Sequence, residues 1–153
     1  MNALTNLFTP DCIVLDNPAK NRADAFAAAG ELFAKQVGID ANSVIKFLNA
    51  REELGSTALG AGVAIPHGRV KGLKQPAAAL IRLKDPIEFA APDGEPVKTL
   101  IFLLVPEKAT QQHLEILSSI AQLLSDADVR ETLITSTDAA KVCELLQHWG
   151  DTK

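Results

Sequence analysis

The sequence predicts an α/β fold in which one mixed β-sheet is flanked by helices on both faces, and three observations carry that prediction. Residues 77–83 and 97–105 are near-continuous apolar runs, the pattern of strands buried on both faces rather than on one. Helical periodicity precedes them, over residues 22–37 and 41–54, and returns after residue 110. The 153 residues hold no internal repeat, low-complexity tract or linker, so a single domain is the simplest architecture. A chain of this size can bury roughly two thirds of its unfolded surface, and 47% hydrophobic with 22% charged residues is an ordinary globular composition.

Each element follows from local chemistry. Residues 12–15 form a short apolar run between Pro10 and Asn17-Pro18, which reads as a first strand and a turn. In the first helix Phe26, Ala29, Leu32, Phe33 and Val37 recur at helical spacing, and Gly38 stands where a C-terminal cap belongs. The second helix, residues 41–54, has Asp40 as N-cap, Gly55 as stop and an apolar stripe of Val44, Phe47 and Leu48. A Gly-rich loop over residues 56–62 leads to a short strand, Val63-Ala64-Ile65, that ends at Pro66-His67-Gly68. Between the two long strands, residues 86–90 suggest a shorter one, and Asp93-Gly94 between Pro92 and Pro96 signals a hairpin turn. Pro106 stops the second long strand. Thr110 is then placed to cap a helix with the stripe Leu114, Leu117, Ile120, Ala121 and Leu124. One or more helices fill residues 126–149.

Composition excludes several functions. The net charge of −4 and the scattered Lys and Arg offer no track for a nucleic-acid backbone, so no nucleic-acid partner is expected. The amino-terminal residues lack the basic start and apolar stretch of a secretory signal, which makes the cytoplasm the expected location. The longest apolar run, residues 100–105, is far short of the roughly 20 residues a membrane-spanning helix needs, so no membrane insertion is expected. Cys12 and Cys143 stand alone, without metal-ligand or redox spacing, and read as two reduced, partly buried thiols.

Three familiar motifs fail. Gly55-x4-Gly60 opens like a P-loop, but Ala61 and Gly62 occupy the Lys and Ser/Thr positions, and Gly60-x-Gly62 is followed by Val, Ala and Ile rather than by a dinucleotide fingerprint. Gly-x-Ser-x-Gly, the hydrolase nucleophile elbow, is absent from the chain. What stands out is His67, because Pro66 stiffens the turn before it and Gly68 leaves no side chain after it to block a partner. On spacing alone it is either a loop histidine satisfying local hydrogen bonds or a presented imidazole, neutral near pH 7 and nucleophilic enough to accept and release a phosphoryl group. Arg51, seven residues after Val44 and three after Leu48, falls on the core-facing side of its helix. It is either a structural cation at a helix C-terminus or a fork for phosphate oxygens. His113, in the first turn of its helix, is either a packing or capping residue or part of an anion site. His148 lies near the carboxyl terminus, where chains fray, and is not read as a site residue.

The run Arg51-Glu52-Glu53-Leu54-Gly55-Ser56-Thr57-Ala58-Leu59-Gly60-Ala61-Gly62-Val63-Ala64-Ile65-Pro66-His67-Gly68-Arg69 resembles the active-site segment of the mannitol/fructose-type enzyme IIA family of the phosphotransferase system. Pro86-Ile87-Glu88-Phe89, Asp93-Gly94-Glu95-Pro96-Val97, Leu103-Leu104-Val105-Pro106-Glu107 and His113-Leu114-Glu115-Ile116-Leu117-Ser118 resemble it too. The resemblance implies a single EIIA type-2 domain over residues 4–148 with the mannitol-type IIA fold. It implies His67 as the phosphorylated histidine, with Arg51 and His113 lining the site. It further implies that Nε2 receives the phosphoryl group from a histidine-phosphorylated carrier of the HPr/NPr kind, with no cofactor, metal or nucleotide. Gly68-Arg69, Gly72-Leu73 and the turn at Asp93-Gly94-Glu95-Pro96 are similar to the nitrogen-regulatory subgroup, whereas Ala90 departs from the acidic residue many of its members carry. That subgroup implies a phosphocarrier with regulatory targets, such as potassium transport or a sensor kinase. The alternative is a sugar-transport IIA component passing phosphate to a IIB domain.

Overall fold

The computed structural model describes residues 4, 7–108 and 111–149. After a 3-10 turn at Pro10–Cys12, the chain forms strand β1 (Ile13–Asn17), helix α1 (Arg22–Val37) and helix α2 (Ala41–Glu52). Strands β2 (Ala58–Gly60), β3 (Val63–Ala64), β4 (His67–Val70), β5 (Ala77–Ile87) and β6 (Val97–Pro106) follow, then helices α3 (Gln111–Ser125), α4 (Ala127–Thr135) and α5 (Ala139–His148). All six strands join one mixed sheet. Its centre is the antiparallel pair β5 and β6; β1 lies parallel on the far side of β5, and β3 and β4 both run parallel along the other side of β6. β2 pairs antiparallel with β3.

The two apolar runs behave as their lack of alternation requires, because helices cover both faces. Ala79, Ile81, Leu83, Leu100, Phe102 and Leu104 enter one core with Phe26, Phe33, Val44 and Leu48 from α1 and α2. Ala78, Leu80, Ile101, Leu103 and Val105 enter a second core with Ile116, Ile120, Leu133 and Leu146 from α3, α4 and α5. The helix ends carry the expected caps. Asn21 and Asp40 each accept a backbone N–H three residues on, and Gly38, at φ 79°, donates to the Ala34 carbonyl. Asp126 and Asp138 cap α4 and α5, into which residues 126–149 divide. Thr110, expected to cap α3, lies outside the described residues.

Several expectations needed correction. β5 runs unbroken to Ile87, so the separate strand expected over residues 86–90 does not form; irregular pairing between Arg82 and Ile87 takes up the change. α2 ends at Glu52, and Leu54 and Gly55 then turn back with N–H bonds to the Arg51 and Glu52 carbonyls. The Gly-rich stretch is a hairpin rather than a loop: β2 enters a turn in which Gly60, Ala61 and Gly62 all have positive φ, at 93°, 55° and 79°. Asp93, from the β5–β6 connection, holds that turn by accepting the Ala61 N–H at 2.8 Å. On α3 the core face is His113, Ile116, Ile120, Leu123 and Leu124, while Leu114 is 60% exposed. A stripe through positions 113, 116 and 120 turns position 114 outward by one helical step.

Arg82 interrupts the apolar run of β5 for a structural reason. Its guanidinium, in a residue 3% exposed, donates to the Leu133 and Ser136 carbonyls at the end of α4 and to Asp16. It thereby satisfies carbonyls that a helix end leaves without intrahelical partners. Cys12 and Cys143 are both free and buried. Among the described residues no helix is long and apolar enough to cross a membrane.

Candidate active site

His67 opens β4, where the chain running beside β6 resumes pairing after Pro66. Pro66 has no N–H to offer, but its carbonyl accepts the Leu103 N–H at 3.0 Å, so the residue before His67 is tied to the central strand. Strand alternation then sends His67 and Arg69 to one face and Gly68 and Val70 to the other. A β-carbon built on Gly68 would stand 3.1 Å from the Phe47 carbonyl oxygen of α2. The missing side chain therefore serves the close approach of α2 to β4, not the approach of a partner to His67.

That packing brings the C-terminal turn of α2 beside His67. A cleft of about 520 Å³ opens there, and Arg51, His67 and His113 all line it, together with Arg69, Glu107 and the apolar side chains of Phe47, Leu54, Leu103, Leu114 and Leu117. The three residues singled out in the sequence thus share one cavity although they come from α2, β4 and α3. His148 does not line it and is exposed in the last turn of α5.

The His67 ring is oriented by its own backbone. Nδ1 lies 2.8 Å from the Ile65 carbonyl oxygen, and since a carbonyl can only accept, Nδ1 carries the proton and Nε2 keeps its lone pair. Burial holds the pKa of His67 below its ordinary value of 6.5; the Ile65 hydrogen bond opposes this, the Arg51 cation adds to it, and the Glu52 carboxylate opposes it. The imidazole is accordingly neutral at pH 7 and carries one unprotonated, nucleophilic nitrogen.

Arg51 is half-buried and donates from Nη1 to the Gly55 carbonyl at 2.9 Å, which anchors the side chain over the turn after α2. A guanidinium has five N–H donors, so one such bond fixes the fork without exhausting it. His113 is 9% exposed and is the third residue of α3, inside the turn whose N–H groups favour anions.

Sequence reasoning missed Glu52. Val44, Leu48 and Glu52 are the buried residues of α2, at intervals of four, so the core stripe of the helix ends on a carboxylate. That spacing was the available signal, because a carboxylate on a core stripe needs partners. Glu52, 5% exposed, accepts the Thr57 N–H at 3.2 Å and also the Thr57 hydroxyl.

Comparisons with known proteins show the chain's family and fold. The sequence profile of the family described as phosphoenolpyruvate-dependent sugar phosphotransferase system, EIIA 2, matches residues 6–149. A nitrogen regulatory protein of Pseudomonas aeruginosa is 38% identical over 147 residues, covering 95% of this chain and 96% of that protein. The crystal structure of nitrogen regulatory protein IIA-Ntr from Neisseria meningitidis superposes with a TM-score of 0.86 at 45% identity, covering 90% of this chain and 94% of the other. The crystal structure of IIA mannitol from Escherichia coli is similar at a TM-score of 0.75 and 25% identity, covering 91% and 98% of the two chains.

Proposed function

Since the chain belongs to the phosphoenolpyruvate-dependent sugar phosphotransferase system EIIA 2 family, we propose that it is a regulatory IIA phosphocarrier whose His67 takes a phosphoryl group from a histidine-phosphorylated carrier protein of the HPr/NPr kind. The observation that carries this reading is the hydrogen bond from His67 Nδ1–H to the Ile65 carbonyl, which leaves Nε2 as the nucleophile. A bond forms from Nε2 to phosphorus as the bond from phosphorus to the donor's ring nitrogen breaks. The donor ring leaves as neutral imidazole, and the positive charge passes to His67, which keeps its Nδ1 proton. Phosphoryl transfer asks mainly for alignment and charge stabilisation. Arg51 supplies a planar fork for the phosphoryl oxygens, and His113 a hydrogen bond beside them.

Residues 4–148 act as one such domain, working in the cytoplasm where a phosphorylated carrier would meet it. The names of the relatives favour regulation over sugar transport, with a potassium-transport protein or a sensor kinase as the kind of target the phosphorylation state would reach. A IIB domain is the alternative acceptor. The two readings separate when the protein, phosphorylated through enzyme I, carrier and phosphoenolpyruvate, is mixed with a sugar-specific IIB. A regulatory protein retains its label, and efficient onward transfer would contradict that reading.

A further inference from the structure

Thr57 and Ile65 connect the buried carboxylate of Glu52 to the ring of His67. Thr57 gives both its N–H and its hydroxyl to Glu52. The Thr57 carbonyl accepts the Ile65 N–H at 3.1 Å, and the Ile65 carbonyl accepts the His67 Nδ1–H at 2.8 Å. Glu52 and Thr57 are 5% and 6% exposed, so neither relies on solvent to complete its bonding. On the far side, the Leu103 N–H holds the Pro66 carbonyl. Ile65-Pro66 is thereby pinned to the end of α2 on one side and to β6 on the other.

We propose that Glu52 and Thr57 are positioning residues for His67: the carboxylate fixes Thr57, Thr57 fixes Ile65, and the Ile65 carbonyl fixes the imidazole as its Nδ1–H tautomer with Nε2 toward the cleft. This inference rests on reading His67 as the phosphoryl acceptor. A buried carboxylate is costly to desolvate, and a neutral side chain could fill the same space. What the carboxylate adds is a negative charge close to a ring that becomes cationic when Nε2 is phosphorylated. The other charged or titratable groups lining the cleft with His67 are Arg51, Arg69, Glu107 and His113. The Arg51 cation disfavours a positive ring, and the Glu52 carboxylate opposes that effect.

Three variants of the full chain separate positioning from packing. Glu52→Gln keeps the size, and because the Thr57 hydroxyl can rotate to accept from the amide, both contacts can re-form without the charge. Thr57→Val keeps the shape and removes the hydroxyl, and Thr57→Ser restores it. Histidine ¹⁵N NMR reads the tautomer and titration of His67, and rapid-quench phosphoryl transfer from the carrier reads the rate. Expected are a lower His67 titration midpoint in Glu52→Gln, with acceptance slowed by loss of the charge that favours the cationic ring, and a population of Nε2–H tautomer in Thr57→Val, with acceptance slowed about tenfold, the rate equivalent of one net hydrogen bond. Thr57→Ser returns both readouts to wild type. Unchanged tautomer and titration in either Glu52→Gln or Thr57→Val, with rates that only follow the melting temperature, would overturn the proposal. So would a wild-type His67 that carries its proton on Nε2. A wild type with the Nδ1–H tautomer that accepts no phosphoryl group would instead refute the phosphocarrier reading, because the NMR arm does not depend on transfer.

Discussion

Gly68 meets Phe47 backbone to backbone: a β-carbon at Gly68 would lie 3.1 Å from the Phe47 carbonyl oxygen and 3.2 Å from its carbonyl carbon. This contact sets how close α2 comes to β4, and so how Arg51, one turn further along α2, stands relative to His67. Backbone cannot swing aside as a flexible side chain can. Gly68→Ala should therefore push the helix outward, destabilise the fold by about 1–3 kcal/mol as overpacking does, and slow phosphoryl acceptance roughly tenfold through misalignment. A thermal melt and a single-turnover rate on the folded variant check both parts. A wild-type rate would mean that the α2 approach does not set the geometry of the site.

His67 should titrate below 6.5, because burial opposes its charged form. The unfolded chain then binds the proton more readily than the folded one. The contribution to stability is fully present above 6.5 and is lost as pH falls through the lower folded value. Unfolding by urea at about pH 7.5 and about pH 5.5 should show a loss of stability at the lower pH that is smaller in His67→Gln. A midpoint at or above the ordinary value, by NMR titration, would contradict the assigned environment.

Arg51→Lys retains a positive charge but replaces a planar fork with a point charge. Single-turnover transfer should slow by about a hundredfold, corresponding to roughly 3 kcal/mol of lost transition-state stabilisation, while stability changes far less. His113→Gln should lower the rate in the same way, and it suits the buried position better than a truncation that leaves a cavity. Rate losses that merely track unfolding would reduce both residues to packing.

Much of this arrangement was legible in the sequence. Continuous apolar runs disclosed a sheet covered on both faces, and helical spacing with Asp40 and Gly38 gave the first two helices and their caps. His67, Arg51 and His113 stood out by residue type and context, and they do line one cleft. What could not be read was long-range. No local pattern tells that Asp93 holds a turn containing Ala61, thirty-two residues away, or that Arg82 reaches the end of α4. Gly68 looked like an opening for a partner because its neighbour across the fold, Phe47, is not adjacent in sequence. Leu114 read as core because an apolar residue one step off the stripe has the same composition as one on it, and only its exposure on the cleft rim tells them apart.

The most direct measurement of the central claim is the site and chemistry of phosphorylation. Incubation of the chain with phosphoenolpyruvate, enzyme I and the histidine carrier, followed by intact mass and ³¹P NMR, should show one phosphoryl group, acid-labile and alkali-stable, bonded to Nε2 of His67 and absent from His67→Ala. A His67→Ala protein labelled as fully as wild type, or a phosphoryl group on Nδ1 of His67, would contradict it.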